Sequence, residues 1–269
     1  MTAPALDPLT PRPAATVMLV RDTPAGISVF LMRRHAAMEF AAGVTVFPGG
    51  GVDDRDRHAG IAWAGPDPSW WAGRFGVDAE LAAALVCAAA RETFEESGVL
   101  FAGRGDDPDS IVADASVYSA ARAQLAAGTL SFADFLTAEK LILRADLLRP
   151  WANWVTPKEE RTRRYDTYFF VGALPRGQRA DGDNTETDLA DWATPQAALA
   201  DFAAGRTFLL PPTWTQLDSL ADRSVADVLA AQRRIVAVEP RLAVSESGWE
   251  IEFFDSERYN EARSRRGPR

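Results

Sequence analysis

The chain has 269 residues, of which 47% are hydrophobic, and its formal net charge is -9. These values predict a globular protein with a sizeable core, and they exclude sequence-independent binding to duplex nucleic acid, which depends on a basic surface. No apolar run approaches the roughly 20 residues of a membrane-spanning helix, and the single cysteine, Cys87, excludes an internal disulfide framework. We therefore expect a cytoplasmic protein whose partners are neither duplex nucleic acid nor a membrane.

The first elements of the chain read as strands. Residues 15–20 and 27–32 are short apolar runs on either side of the turn-forming residues 22–26, which predicts a β-hairpin. Residues 44–47 predict a further short strand that leads into a run of glycines. The segment 53–77 then carries three tryptophans among glycines, prolines and aspartates, so it is too aromatic for a disordered linker.

Residues 79–97 predict a helix that begins after the N-cap Asp78 and ends at Gly98. Its last turns carry three carboxylates at positions i, i+3 and i+4, namely Glu92, Glu95 and Glu96. That spacing places like charges on one helix face, where two carboxylates about 5 Å apart repel by roughly 3 kcal/mol at an effective dielectric near 20. A hard divalent cation such as Mg²⁺ or Mn²⁺ is the natural partner of such an all-oxygen group.

The remaining elements follow from periodicity and from turn residues. The sequence predicts helices over residues 112–126, 131–140, 195–204 and 220–235, the last from a break near Asp222. It also predicts a strand over residues 164–174 and a hairpin of residues 241–244 with residues 249–254. A polar loop with several carboxylates occupies residues 177–188.

The run from Arg91 to Val99 reads Arg-Glu-Thr-Phe-Glu-Glu-Ser-Gly-Val, and a Phe-Pro-Gly-Gly sequence precedes it at positions 47–50. Together these segments resemble the signature box of the Nudix hydrolases, in which a glycine loop is followed by a helix carrying an arginine and several glutamates. The resemblance implies an α+β fold, namely a Nudix-type α/β/α sandwich with a mixed β-sheet, an insertion inside the box and extra helices.

The box departs from the family pattern in two ways. Arg91 lies 41 positions after Gly50, which leaves about 27 residues more than an uninterrupted box holds. Eight positions before Arg91, where the family has its first glutamate, stands Ala83, and Glu80 is a candidate substitute. A box split in this way is similar to the subgroup that includes peroxisomal CoA and acyl-CoA diphosphatases.

The resemblance implies a single Nudix domain over residues 14–256. Within it, residues 51–78 form the insertion and residues 195–256 form an extension of helices and strands. We expect residues 1–13 to be a flexible lead-in and residues 257–269 to be a basic tail.

The resemblance also implies a metal site for Mg²⁺ or Mn²⁺. Its ligands would be the carbonyl of Gly49 and the carboxylates of Glu92, Glu95 and Glu96, while Arg91 would brace the carboxylates and keep them ionised. The general base is open among five carboxylates, namely Glu92, Glu159, Glu160, Asp183 and Glu186. Of these we favour Glu186, because it precedes a tryptophan and a helix start in the manner of a late Nudix strand.

Arginine clusters are the candidate substrate contacts, because the guanidinium binds phosphate with two parallel hydrogen bonds. Arg33 and Arg34 end a strand before the box, and Arg164 follows two other arginines in a later segment. The predicted function is metal-dependent cleavage of the diphosphate in a nucleoside-diphosphate-linked small molecule, with CoA or acyl-CoA as the leading substrate. ADP-ribose, a dinucleotide or a nucleotide sugar is an alternative substrate, and a non-catalytic ligand sensor of the same fold is an alternative function. The resemblance is compatible with a homodimer.

Overall fold

The structure is a computed structural model that describes residues 9–35, 43–57, 60–184, 187–245 and 248–264. In chain order, its strands are β1 Arg12–Thr23, β2 Gly26–Arg34, β3 Thr45–Val46, β4 Gly49–Gly51, β5 Trp63–Ala64, β6 Ala102–Arg104, β7 Leu141–Arg144, β8 Leu148–Val155, β9 Tyr165–Ala173, β10 Thr187–Ala193, β11 Ala237–Val238, β12 Arg241–Ser245 and β13 Gly248–Glu252. Its α-helices are α1 Asp54–Arg57, α2 Pro68–Phe75, α3 Ala79–Ser97, α4 Ser119–Ala126, α5 Phe132–Ala138, α6 Pro195–Ala203, α7 Pro211–Leu220, α8 Val225–Ala230 and α9 Ser256–Ser264.

A mixed sheet of eight strands forms the centre of the fold, with the order β10-β2-β1-β9-β8-β11. The predicted hairpin is confirmed, since β1 pairs antiparallel with β2 through a turn at Gly26. On its other side β1 pairs in parallel with β9, with Val17 opposite Phe170. The short strands β3 and β4 pair with β2 and β1, respectively, so the glycine segment is held against the centre of the sheet.

Alternation along β1 divides the core into two layers, because successive side chains of a strand point to opposite faces. Val17 and Leu19 pack in the cluster that contains the buried side of α3, whereas Met18 and Val20 pack in the cluster that contains α6 and α7. Helices therefore cover both faces of a mixed sheet. This arrangement confirms the predicted α+β fold and its α/β/α sandwich.

The helix α3 has the bounds that the sequence predicts. The Asp78 carboxylate accepts a hydrogen bond from the Leu81 amide at 2.7 Å, and Gly98 closes the helix in the left-handed conformation at φ 70°. Alanines and other apolar residues bury α3 on nearly every side up to Ala90. Its polar end, residues 91–96, is thereby fixed in position relative to the sheet.

The aromatic insertion is folded and joins the core. Trp71 of α2 is fully buried, and its ring stacks on Phe75 at 6.1 Å and lies 5.6 Å from Phe170 of the central sheet. The strand β5 pairs with β7 in a second, three-stranded sheet. Residues 58 and 59 of the insertion, including His58, lie outside the described residues.

Two helix predictions are wrong in their bounds. Of the helix predicted over residues 220–235, only α8, Val225–Ala230, forms after the predicted break near Asp222, because α7 already ends at Leu220. The break occurs because Asp222 adopts φ 59° and Ser224 starts a new helix with a capping box to Asp227. In the predicted helix 112–126, Asp114 caps a 3₁₀ turn, so α4 begins only at Ser119.

The prediction of a basic tail from residue 257 is wrong for residues 257–264, which belong to α9 and pack on the core through the buried Tyr259. Three further predicted elements agree with the structure. The strand predicted over residues 164–174 is β9, the helix predicted from residue 195 is α6, and the C-terminal hairpin is β12 with β13. Among the described helices, none is both long enough and apolar enough to cross a bilayer.

Candidate active site

The glycine strand β4 and the end of α3 approach each other closely. The Gly49 amide donates a hydrogen bond to Glu96 Oε2 at 2.7 Å. Gly50 lies so near Glu92 that a Cβ on Gly50 would stand 2.4 Å from Glu92 Oε1, whereas a Cβ on Gly51 would meet nothing within 4 Å. The absence of a side chain at Gly50 therefore lets the backbone meet the carboxylate.

Arg91 lies between the carboxylates and the glycine strand. Its Nη1 donates to Glu92 Oε1 at 2.9 Å and to Glu95 Oε1 at 3.3 Å, while its Nη2 donates to the carbonyl of Gly51 at 3.0 Å. The helical spacing of i and i+4 brings Arg91 and Glu95 together. One guanidinium thus ties two glutamates of the helix to the strand beside them.

A third carboxylate, Asp56, comes from α1 in the insertion. It accepts two hydrogen bonds from Arg91, with Nε to Oδ1 at 3.0 Å and Nη2 to Oδ2 at 2.9 Å. Its side chain is 2% exposed, and it also accepts from the amide of Asp53 and the thiol of Cys87. Sequence reasoning missed Asp56, because 35 residues separate it from Arg91 and no periodic pattern relates an insertion to a helix.

Asp56 also lies near Ala83, the position where the family has its first glutamate. Ala83, Cys87 and Asp56 line one cavity of about 290 Å³ beside α3. Glu80 is exposed in the first turn of α3, and the partners of the Arg91 guanidinium are Asp56, Glu92, Glu95 and the Gly51 carbonyl. The carboxylate that braces Arg91 is therefore supplied by the insertion, and Glu80 does not replace it.

The charges of this cluster do not balance. Arg91 faces three carboxylates, from Asp56, Glu92 and Glu95, so the group carries two excess negative charges when all three are ionised. Burial raises the pKa of Glu92 to about 7 and also raises the pKa of Glu95, although the Arg91 charge opposes both shifts. Burial lowers the pKa of Arg91, but the hydrogen bonds to Asp56 and the charge of Glu92 raise it by more, so Arg91 stays charged.

The three glutamates of α3 do not converge on one point. Within the described ranges, no group of three or more acidic, histidine or cysteine side chains is arranged to hold a metal ion. The reason is visible in the hydrogen bonds, because Glu96 is turned to the amide of Gly49 whereas Glu92 and Glu95 are turned to Arg91. The predicted metal ligands thus lie on one surface but are engaged with two different partners.

A later loop covers the end of α3. The Arg122 Nε donates to the carbonyl of Glu95 at 3.0 Å, and Arg122 forms an ion pair with Asp181 at 2.8 Å. Asn184 donates to the carbonyl of Glu96 at 2.9 Å. This loop leads toward the predicted base Glu186, which lies outside the described residues. Arg122 and Asn184 were not predicted from the sequence, because their partners are backbone carbonyls.

The other predicted bases are placed differently. Asp183 and Glu159 are exposed. Glu160 accepts hydrogen bonds from the amides of Arg161 and Thr162, so its carboxylate stabilises its own turn. Of the predicted bases that the structure describes, only Glu92 is both shielded from solvent and in contact with Arg91.

The predicted substrate arginines separate into two groups. Arg33 and Arg34 end β2 beside β3, which leads into the glycine strand, and strand alternation places Arg34 on the same face as Met32 and α3. Arg164 does not join them. Its buried guanidinium donates to the carbonyls of Thr156, Pro157 and Leu9 and to Glu239, so it holds the chain together and is not available to a substrate.

Comparison with known proteins agrees with this geometry. A family model described as the NUDT19 Nudix domain matches residues 72–220, which is more than half of the chain. The chain is 25% identical over 224 residues to the Xenopus laevis protein named acyl-coenzyme A diphosphatase NUDT19, covering 71% of this chain and 59% of that protein. It is 26% identical over 251 residues to the Homo sapiens protein of the same name, with 78% of this chain and 65% of that protein covered.

These alignments span about three fifths of the length of the named relatives. Among solved structures, the crystal structure of a NUDIX hydrolase from Alicyclobacillus acidocaldarius superposes with a TM-score of 0.68 at 26% identity, covering 84% of this chain and 98% of that chain. The family model, these relatives and the split glycine and glutamate segments agree. The chain therefore belongs to the Nudix hydrolases, in the NUDT19 Nudix domain family.

Proposed function

We propose that the protein is a metal-dependent Nudix diphosphohydrolase that cleaves the diphosphate of a nucleoside-diphosphate-linked small molecule. The observation that carries this proposal is the cluster around Arg91, where three carboxylates face one guanidinium beside the glycine strand. Structural ion pairs in a half-buried position normally balance their charges, because an unpaired buried charge is costly. The two excess negative charges are those that one divalent cation would neutralise.

The donor set fits Mg²⁺ or Mn²⁺. Carboxylates and a backbone carbonyl are hard oxygen ligands, which these ions prefer over nitrogen or sulfur. Glu92, Glu95, Glu96 and the carbonyl of Gly49 would hold the ion. When bound, such an ion neutralises diphosphate oxygens and lowers the pKa of a coordinated water.

The chain's own residues would prepare the site for that chemistry. Arg91 holds Glu92 and Glu95 at fixed positions, and Asp56 holds Arg91 through a buried forked ion pair. Arg122 and Asn184 bind the last carbonyls of α3, which fixes the helix end against the loop that leads to Glu186. We propose Glu186 as the general base, which would accept a proton from the attacking water. Arg34, on the α3 face of β2, is the proposed phosphate contact, with Arg33 next to it.

CoA or acyl-CoA is the substrate class that we propose first. Support comes from the interrupted box and from the relatives named acyl-coenzyme A diphosphatase. We further propose that residues 14–256 act as one domain, since the insertion supplies Asp56 to the helix of the box. ADP-ribose, dinucleotides and nucleotide sugars share the diphosphate and are the competing substrates.

The experiment that tests this function is a hydrolysis screen. The purified chain is incubated with CoA, an acyl-CoA, ADP-ribose, a dinucleotide and a nucleotide sugar, each with Mg²⁺ or Mn²⁺, and the products are separated by chromatography. We expect cleavage within the diphosphate, highest for CoA or acyl-CoA, and complete dependence on the added metal. Glu95→Gln is the matched control, because it removes one charge from the cluster without changing the side-chain shape. Tight binding of one compound with no cleavage of any would show a sensor instead of an enzyme.

A further inference from the structure

A second cavity shares no lining residue with the cavity at Asp56 and Ala83. Its volume is about 280 Å³, and its walls include Trp70 and Arg74 of α2, Asp146, Arg149 of β8, and Gln232. Beside this cavity the backbone of the insertion at Gly65 packs closely on Asp146, since a Cβ on Gly65 would stand 2.6 Å from the amide nitrogen of Asp146. In the central sheet, β8 is separated from β1, the strand that pairs with the glycines, by β9.

Two guanidinium groups of this cavity have no balancing carboxylate. Arg74 donates only to uncharged oxygens, the Gln232 side chain and the Arg233 carbonyl, both at 3.3 Å. Arg149 donates to the carbonyls of Asp146, Leu148 and Leu229. Within the described part of the chain, neither arginine forms an ion pair, and the nearby Asp146 carboxylate is bound by Arg144.

Both arginines also keep unused donors. The Nε of Arg74 is buried and has no hydrogen-bond partner in the described residues, and the hydrogen bonds of Arg149 to described residues use Nε and Nη1 but not Nη2. A buried donor without a partner costs about 1–3 kcal/mol, so a native structure normally supplies one, from the protein or from a ligand. An oxyanion would accept from both guanidiniums and balance their charge.

The third feature is an exposed aromatic ring in the same wall. Trp70 is 40% exposed although its neighbour Trp71 is fully buried, and the Arg74 guanidinium lies 5.5 Å from the centre of its ring. Indole rings left partly exposed beside cations are suited to flat rings, which stack on them with about 1–3 kcal/mol per base. The cavity therefore offers a cationic end and an aromatic surface.

From these contacts we propose that the cavity formed by Trp70, Arg74 and Arg149 is a second ligand site, which binds a nucleoside phosphate. The phosphate pairs with the guanidinium groups of Arg74 and Arg149 and accepts a hydrogen bond from Arg149 Nη2, and the base lies against Trp70. The site is separate from the carboxylate cluster and does not depend on the proposed hydrolysis. It makes the insertion a binding element in addition to its role in holding Arg91.

Isothermal titration calorimetry on the full chain, without divalent metal, tests the proposal with adenosine 5′-monophosphate, inorganic phosphate and adenosine. We expect the nucleotide to bind most tightly and adenosine least. Arg74→Gln should weaken binding of the nucleotide and of phosphate about tenfold, which corresponds to the loss of one charge-assisted hydrogen bond. Trp70→Leu should weaken binding of the nucleotide but leave phosphate unchanged.

Two control variants locate the site. Arg176→Gln removes an exposed arginine elsewhere and should leave binding unchanged. Glu95→Gln should also leave it unchanged, because the carboxylate cluster takes no part. Circular dichroism confirms that each variant is folded, and Trp70→Leu carries the test if Arg74→Gln does not fold. Absence of nucleotide binding, equal binding by all variants, or binding lost in Glu95→Gln would overturn the proposal.

Discussion

The carboxylate cluster at the end of α3 and the cavity beside α2 are opposite in charge and are both built with the insertion. Around Arg91, three carboxylates share one guanidinium, whereas Arg74 and Arg149 share no carboxylate within the described residues. The insertion contributes Asp56 to the first and Trp70 and Arg74 to the second. We propose that each imbalance is compensated by a ligand, a cation in the first case and an anion in the second.

Asp56→Asn is the variant expected to have the largest effect, and the quantity it lowers is the free energy of unfolding. The change leaves Arg91 buried without its forked partner, and removing one member of a buried ion pair costs about 3–5 kcal/mol. Denaturant titration of the unaltered protein and of the variant measures the change in the free energy of unfolding. The matched control is Asp106→Asn, because Asp106 pairs with Arg104 at a site where both side chains are mostly exposed. An equal, small loss for both variants would show that Asp56 does not support Arg91.

Glu95→Gln is expected to have the next largest effect, on activity. Changes to residues that only support a metal ligand typically cost about 10- to 100-fold, and loss of a proposed ligand carboxylate should lower kcat/KM by more than that. The variant should also need a higher metal concentration for half-maximal rate. Steady-state rates over a titration of Mg²⁺ or Mn²⁺ measure both. An unchanged metal dependence would remove Glu95 from the proposed site.

Gly50→Ala tests the contact between the glycine strand and α3. Its Cβ would stand 2.4 Å from Glu92 Oε1, so the carboxylate must move, and we expect destabilisation of about 1–3 kcal/mol together with reduced activity. The neighbouring variant Gly51→Ala is the control, because a Cβ there meets nothing within 4 Å. Thermal unfolding and hydrolysis rates compare the two. Equal behaviour of the two variants would contradict the close packing of Gly50 on Glu92.

The smallest expected effect is stabilisation by the metal itself. At ten times its Kd, an ion that binds only the folded chain adds about 1.4 kcal/mol, which corresponds to a rise in Tm of a few degrees. The rise should be lost in Glu95→Gln and retained in Arg74→Gln, since only the first belongs to the cation site. Differential scanning calorimetry with and without Mn²⁺ measures this rise in Tm. Loss of the shift in Arg74→Gln would show that the two sites are not separate.

Local patterns predicted much of this molecule. The caps Asp78 and Gly98 set the bounds of α3, because capping depends on residues adjacent in the chain. The contact between Arg91 and Glu95 follows from helical spacing alone. The hairpins and β9 follow from alternation and turn residues. The family resemblance added the mixed sheet and a glycine loop, and the structure shows that the glycines form the strand β4.

The residues that were predicted wrongly or not predicted depend on contacts between distant segments of the chain. Arg164 has the residue type of a phosphate ligand, but the fold buries it against Thr156 and Glu239. The break near Asp222 agrees with the prediction, but the end of α8 at Ala230 does not, since the predicted helix ran to residue 235. Asp56 and Arg74 stand in a segment whose sequence shows only that it is aromatic and polar.

The helix of the box and its three glutamates follow from the sequence, because these features depend on neighbours a few positions apart, and comparison with the family pattern adds the interruption. The tertiary structure decided what the interruption does. It brings Asp56 to Arg91 across 35 residues, and it places Arg74 and Arg149 in one cavity where neither forms an ion pair with a described residue. Buried charge pairing is a property of positions in space, so it appears only when the insertion is folded against α3 and the sheet.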